Sequence, residues 1–314
     1  MPSSRHVTVR VDLARVRANA AAVRQAAGVP LIAVVKADAY GLGGAAVAKA
    51  VAELVDAFYV FDVAEAVAYG LRWTGKRTIA VHGEGVHADD HRELNVRPAV
   101  WSVEAAARLA PARPVLSVDT GQQRFGVPVG DAATIDAILR AGRIDEAYTH
   151  ASTAAQAAAF AAALRGTVRT LHAAGSALLG DPAARLDAVR PGLALYRGAV
   201  RVSAPLVEAT DTVGPAGYTG FRAARHGVLL AGYSNGLAAG PCAVNGRRTV
   251  LPEVGMQSAF VDLAPGDRPG DEVVLLGDGI TEDDLARAWR TTPHEALIRA
   301  CGMGRRSYVG FDLE

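Results

Sequence analysis

The chain has 314 residues, half of them apolar, so it can bury a sizeable core and, at roughly 150 residues per domain, is long enough for two domains. Thirty-three basic residues against thirty-two acidic ones leave a formal charge of +1, which gives no electrostatic reason to expect nucleic acid or an anionic membrane as partner. No apolar run reaches the roughly 18 residues that span a bilayer, no signal-like apolar stretch opens the chain, and Cys242 and Cys301 make neither a disulfide framework nor a zinc spacing, so a cytoplasmic globular protein is expected.

The first two thirds alternate short apolar runs with amphipathic or alanine-rich stretches. LIAVV (31–35) precedes GGAAVAKAVAEL, AFYVF (57–61) precedes VAEAVAYGLRW, and TIAVH (78–82) follows. PAVW (98–101) leads into VEAAARLA, VLSVD (115–119) into AATIDAILRAG, and EAYTH (146–150) into an alanine-rich helix. TVRTLH (167–172) and LALYR (193–197) complete the series. Buried strands alternating with helices imply parallel pairing through crossovers. About eight units in roughly 200 residues predict an α/β fold, a small (β/α)8 barrel of the TIM type, with an open doubly wound sheet as competitor. Beyond residue 203 the texture turns to short β-prone segments separated by Gly, Pro and Asp: GVLLAG, RRTVLPEVG, SAFVDLA and EVVLLG. The expected division is therefore a barrel over residues 1–203 and a smaller, mostly β domain over 204–314.

Only three of the basic residues are lysine, namely Lys36, Lys49 and Lys76. Lys36 follows five apolar residues, at or just past the end of the first buried strand, on what would be the catalytic face of a barrel. Burying an ammonium there is unfavourable and pushes it toward the neutral amine, the form needed for a Schiff base with pyridoxal phosphate. A lysine snorkelling to the barrel rim is the alternative. Lys49 and Lys76 read as solvated surface groups.

VVKADAYGLGG resembles the cofactor-lysine motif of the alanine racemase family, pyridoxal phosphate enzymes built from a barrel and a β domain. The resemblance begins at VDLARVRANAAAVRQAAG. It continues in order through VFDVAEAVAYGLRWTG, VDTGQQRFGV, VRPGLALYRG and GYSNG. It implies that Lys36 carries the cofactor and acts as one of two opposed acid/base groups, and that Tyr40 contacts the cofactor phosphate. Tyr233, in GYSNG, would be the second base, reaching the partner's site in a head-to-tail homodimer. A tyrosine is a poor base unless cations stabilise its anion. His150, in YTHAST, would stack near the pyridine ring. Arg190, in VRPGLALYRG, would face the pyridine nitrogen and, because a guanidinium keeps its proton, leave that nitrogen unprotonated. This weakens the ring as an electron sink and favours proton return over side reactions. Arg124 would contact the carboxylate of a small amino-acid substrate, and the backbone of Met256 would bind substrate in the partner's site. Ser176 after the seventh strand, with Gly192 and Leu193 after the eighth, would hold the phosphate, where barrels commonly bind one.

Several positions depart from the family pattern. Ser117 stands where the family often has a lysine supporting the substrate arginine, Gln257 where an aspartate is usual, and Gly302 where a tyrosine normally contacts the phosphate. Tyr308 could replace that tyrosine only if the backbone runs differently. The interval from Tyr233 to Met256 is about half the usual length. The expected activity is racemisation of an amino acid, alanine first, through Lys36 and Tyr233. The alternatives are a racemase of another amino acid in a specialised pathway, another pyridoxal phosphate reaction such as decarboxylation or retro-aldol cleavage, or a cofactor-binding protein without catalysis.

Overall fold

The structure is a computed structural model and describes residues 4–83 and 85–313. Seven strands pair in sequence order: Ile32–Val34, Ala57–Val60, Arg77–Ala80, Val96–Val100, Val115–Asp119, Glu146–Ala151 and Thr170–Ala174. Every pairing is parallel. The first two strands are buried along their whole length, as strands with helices on one face and a filled barrel on the other must be.

The ring closes through an eighth, very short strand. Val189 bridges Leu31 and Ala188 bridges His172, both parallel. Ile32 N–H donates to the Val189 carbonyl at 2.9 Å, and Arg190 N–H donates to that of Ala174 at 2.8 Å. Pro191, lacking an N–H, follows at once. LALYR, expected as a strand, is instead a one-turn helix, Leu193–Tyr196. Its apolar residues fill the barrel rim, and the buried Tyr196 hydroxyl donates to the Val34 carbonyl at 2.7 Å.

Polar residues start the outer helices where the loops leave the strands. The side chains of Asp62, Ser102, Asp131 and Thr153 each accept the N–H three residues on, at 2.9–3.2 Å. Thr153 adds the reciprocal bond of a capping box with Gln156.

The second sheet is built mainly from the later strands. Val200–Asp211 pairs antiparallel with both Arg225–Leu229 and Glu272–Leu276. Gly240–Val244 and Arg247–Leu251 form a hairpin whose two-residue Asn245-Gly246 loop has φ of 50° and 77°, the conformation this dipeptide favours. The first strand of the chain, Ser4–Asp12, joins this sheet rather than the barrel, pairing with Val200–Asp211 and, in parallel, with Gly304–Val309. Two consecutive helices, Glu282–Trp289 and Pro293–Cys301, interrupt the β texture expected there. Their start signals are legible: Thr281 makes a capping box with Asp284, and Thr292 caps a helix with proline at its first position.

At the strand starts the barrel is plugged by charge. Buried Glu146 accepts from Arg77 at 2.8 Å and from Arg97, and lies 3.0 Å from His172 Nε2. Burial alone would raise Glu146; the hydrogen bond with His172 and the two arginines outweigh it and hold the carboxyl at about 2. Burial pushes the His172 ring down to about 4.

Candidate active site

The lysine lies two residues beyond the first barrel strand and opens an unusual turn. Ala37, Asp38, Ala39 and Tyr40 are all left-handed, with φ between 53° and 59°. For residues with a Cβ this conformation is unfavourable by roughly 1–2 kcal/mol each, so the turn carries strain of order 4–8 kcal/mol. Neighbouring groups hold it in place. Ala37 N–H donates to Glu65 Oε1 at 2.6 Å, and Asp38 N–H to the Tyr69 hydroxyl at 2.7 Å, which itself donates to Glu65 Oε1 at 3.1 Å. Glu65 Oε2 accepts Phe61 N–H at 2.8 Å, tying the turn to the second strand. From the other side, Arg306 bonds the Asp38 carboxylate and the Gly41 carbonyl, the latter at 2.7 Å.

One cavity opens over the strand ends. Of the sequence-predicted residues it gathers Lys36, Tyr40, Arg124, His150, Ser176, Arg190 and Gly192. Burial, with the charges of Arg124 and Arg190, pulls the Lys36 amine below its ordinary value against the opposing charge of Glu65. Desolvation and the same cations push the His150 ring down to about 4, although it keeps surface open to the cavity. Burial pushes Tyr40 up to about 12, which keeps its hydroxyl a donor. Three cations thus meet one carboxylate on the wall, Asp119, and Asp119 Oδ1 is taken by the N–H groups of Gly121 and Gln122 at 2.7 and 2.8 Å.

Arg190 is the most constrained of the cations. Its guanidinium lies 4.8 Å from the Tyr148 ring centre and 5.1 Å from that of Tyr59, and one nitrogen donates to the Thr149 carbonyl. Its buried Nε has no partner. A buried donor left unsatisfied is unfavourable, so it marks a place for an acceptor. A second group of donors stands around Tyr40. Ser176 Oγ accepts the N–H groups of Gly192 and Ala194 at 3.1 and 3.0 Å. A Cβ on Gly192 would sit 2.2 Å from the Tyr40 oxygen, so only glycine allows this approach. Leu193 does not line the cavity; its side chain is buried at the first turn of the short helix.

Tyr233 and Met256 lie outside this cavity, together on one exposed tip. Tyr233 N–H donates to the Gly255 carbonyl at 2.9 Å and Ser234 N–H to that of Met256 at 3.0 Å, while the two side chains are 55% and 62% exposed. Gly232 permits the crossing, since a Cβ there would lie 2.3 Å from the Met256 oxygen.

The departures from the family pattern have distinct consequences. Ser117 is buried on the cavity wall, and Arg124 Nε donates instead to Gln122 Oε1 at 3.3 Å. Gln257 is exposed beside the tip. Gly302 ends the helix Pro293–Cys301, and Tyr308 packs on Gly43, where a Cβ would meet its hydroxyl at 2.0 Å; neither lines the cavity.

Sequence reasoning missed several wall residues: Tyr59 and Tyr148 beside Arg190, Phe61 and Phe125 at the mouth, and His294. Tyr59 and Tyr148 sit inside apolar strands and carry a core signal. Phe125 has a φ of 49°, which no pattern announces, and His294 enters only through tertiary packing.

A family model described as the alanine racemase N-terminal domain matches residues 11–200, and one described as the C-terminal domain matches 204–308. The alanine racemase of Thioalkalivibrio sulfidiphilus is 33% identical over 363 aligned positions, covering 98% of this chain and 99% of that protein. The alanine racemase of Streptomyces coelicolor is 32% identical, with 95% of each chain covered. The crystal structure of the biosynthetic alanine racemase from Pseudomonas aeruginosa superposes with a TM-score of 0.86 at 27% identity, covering 98% of this chain and all of the other. Barrel, lysine turn and second sheet together with these matches establish that the chain belongs to the alanine racemase family.

Proposed function

We propose that this amino-acid racemase is dependent on pyridoxal phosphate, interconverts the enantiomers of a small amino acid, alanine first, and works by two bases, Lys36 and Tyr233. The cavity residues fit the cofactor. The observation that carries the reading is the unpartnered Nε of Arg190 in the same cavity as a lysine whose amine is pulled toward neutrality. When bound, the cofactor acidifies the substrate α-carbon by withdrawing electrons from it.

The chain's own residues do the rest. Lys36 holds the cofactor through its amine and exchanges the α-proton on one face. Arg190 offers its Nε–H to the ring nitrogen and keeps it unprotonated. His150, held neutral near pH 7, adds no competing positive charge. Arg124 takes the substrate carboxylate, and Tyr40, Ser176, Gly192 and the backbone of Leu193 bind the phosphate. In this reading residues 1–203 are the cofactor domain and 204–314 the second, with Ser4–Asp12 lent to the second sheet. The Tyr233–Met256 tip serves the site of a second copy, because both side chains are exposed and neither lines the cavity of its own chain.

The test is α-proton exchange of both alanine enantiomers in D₂O with pyridoxal phosphate supplied. Exchange with inversion is expected. Bound cofactor without exchange of any amino acid would remove racemisation. Mixing Lys36→Ala with Tyr233→Ala chains should restore part of the activity by leaving one intact site per mixed dimer. Proven mixed dimers without recovery would count against the cross-subunit arrangement, and a fully active Tyr233→Ala protein would place Tyr233 outside the mechanism.

A further inference from the structure

Among the described residues, His294 is the one from beyond residue 203 that lines the Lys36 cavity. It is the second residue of the helix Pro293–Cys301, which Thr292 caps by accepting Glu295 N–H at 3.2 Å. The helix is seated on the lysine turn: a Cβ on Gly41 would lie 2.7 Å from Cys301 Cβ. The imidazole is thereby brought beside Tyr40, ring centres 5.6 Å apart, and Tyr40 in turn lies 5.1 Å from Tyr196.

The surroundings favour an anion. The Tyr40 hydroxyl is a donor, and Ser176 Oγ, which already accepts the N–H groups of Gly192 and Ala194, has its own proton left to donate. The charged and titratable groups facing the imidazole are Arg197 and Lys36, with His150 within electrostatic reach and Tyr40 against the ring. Arg197 is itself paired with Asp283 at 2.5 Å, and no carboxylate among the lining residues belongs to this group of donors. The tyrosine expected near the phosphate is Gly302 here, and Tyr308 is spent against Gly43.

We infer that His294 is a ligand of the cofactor phosphate, donating from its ring N–H in place of the tyrosine that Gly302 replaces. The inference rests on the cofactor reading above. Burial and the charges of Arg197 and Lys36 lower the ring's proton affinity while no anion is present. A phosphate dianion acts in the opposite sense, so binding is coupled to proton uptake. Affinity for the phosphate ester therefore falls as pH rises through the bound ring's pKa.

The experiment titrates cofactor-free, full-length protein with pyridoxal phosphate and, separately, with pyridoxal, following the absorbance of the lysine-bound cofactor across pH. His294→Ala should weaken pyridoxal phosphate roughly 10- to 100-fold, the range of one hydrogen bond to a charged group, and leave pyridoxal unchanged. It should also flatten the pH dependence of the phosphate ester, and His294→Tyr should recover most of the affinity. Equal weakening of both ligands would make His294 a packing residue and overturn the inference; so would an unchanged affinity for the phosphate ester. If His294→Ala does not fold, His294→Gln and the ³¹P resonance of the wild-type complex give the same decision. A phosphate signal with the pH response of free cofactor counts against contact. Failure of the wild type to bind pyridoxal phosphate at all would instead remove the cofactor reading, and this inference with it.

Discussion

The two ends of the barrel are both crowded with charge, yet they are organised oppositely. At the strand starts, Glu146 meets Arg77, Arg97 and His172, while Asp145 gathers Arg97, Arg113 and Arg169 at 2.7–3.2 Å. Each buried charge there has its counter-charge inside the molecule. At the strand ends, Lys36, Arg124 and Arg190 face one carboxylate already engaged by backbone, and a buried Nε is left without a partner. Charge satisfied from within makes structure, whereas charge left for something outside the chain makes a site.

Mutation should split the two ends. Lys36→Ala is expected to reduce racemisation to background, by about a thousandfold or more, since proton transfer by one placed group is worth roughly 10² to 10⁴ and cofactor attachment is lost as well. Its melting temperature without cofactor should not fall, because a cation is removed from a cationic wall. Glu146→Ala should do the reverse. Removing one partner of a buried ion pair destabilises by about 3–5 kcal/mol, and the folded fraction should keep its turnover. Denaturant melts and initial rates on the two variants check both halves. A Lys36→Ala protein that melts well below wild type would sink the contrast.

Acid should act on the plug through His172 and Glu146 and on the mouth through His150, whose ring also lies at about 4. The Glu146 carboxyl lies at about 2 in the folded protein, below its unfolded value of roughly 4.3, so its contribution is complete above that value and is lost as pH falls toward 2. His172, at about 4 when folded, takes its proton more readily unfolded, so it too withdraws stability as pH falls from about 6.5 toward 4. Melting temperature should therefore decline steadily below about pH 6.5, and Glu146→Gln should flatten the portion below roughly 4.5. A melting temperature constant from pH 7 to 4 would contradict the low positions of both His172 and His150.

The barrel strands were readable because they are buried apolar runs, four of them followed by helices with a side-chain cap. The eighth was misplaced because two bridging residues before Pro191 carry no pattern of their own, while the apolar LALY looked like a strand. The cavity residues beside or within motifs were readable too, since Lys36, Arg124 and Arg190 each stand in a distinctive local string. His294 was not, because its place depends on a C-terminal helix resting on a turn some 250 residues earlier. The left-handed run from Ala37 to Tyr40 was equally invisible: alanine, aspartate and tyrosine do not announce positive φ, and bonds from distant side chains help sustain it.

That dependence gives the smallest and sharpest prediction. Glu65 joins the two ends' logics, being a fully engaged carboxylate that holds a strained element of the site. Glu65→Gln keeps the shape but exchanges one acceptor oxygen for a donor, setting it against either Ala37 N–H or Phe61 N–H. The loss should be about 1–3 kcal/mol, far less than the strain of the turn, because Asp38, Gly41 and Arg306 still hold it. Glu65 also raises the proton affinity of Lys36, so its neutralisation should lower the Lys36 amine further and move the pH at which cofactor attaches downward. Cofactor uptake measured against pH reads that shift, and Glu65→Asp, which restores charge without reach, separates it from geometry. A shift in Glu65→Gln that Glu65→Asp reverses assigns the effect to charge, whereas equal slowing in both variants, with no shift, assigns it to the hydrogen bonds that hold the turn.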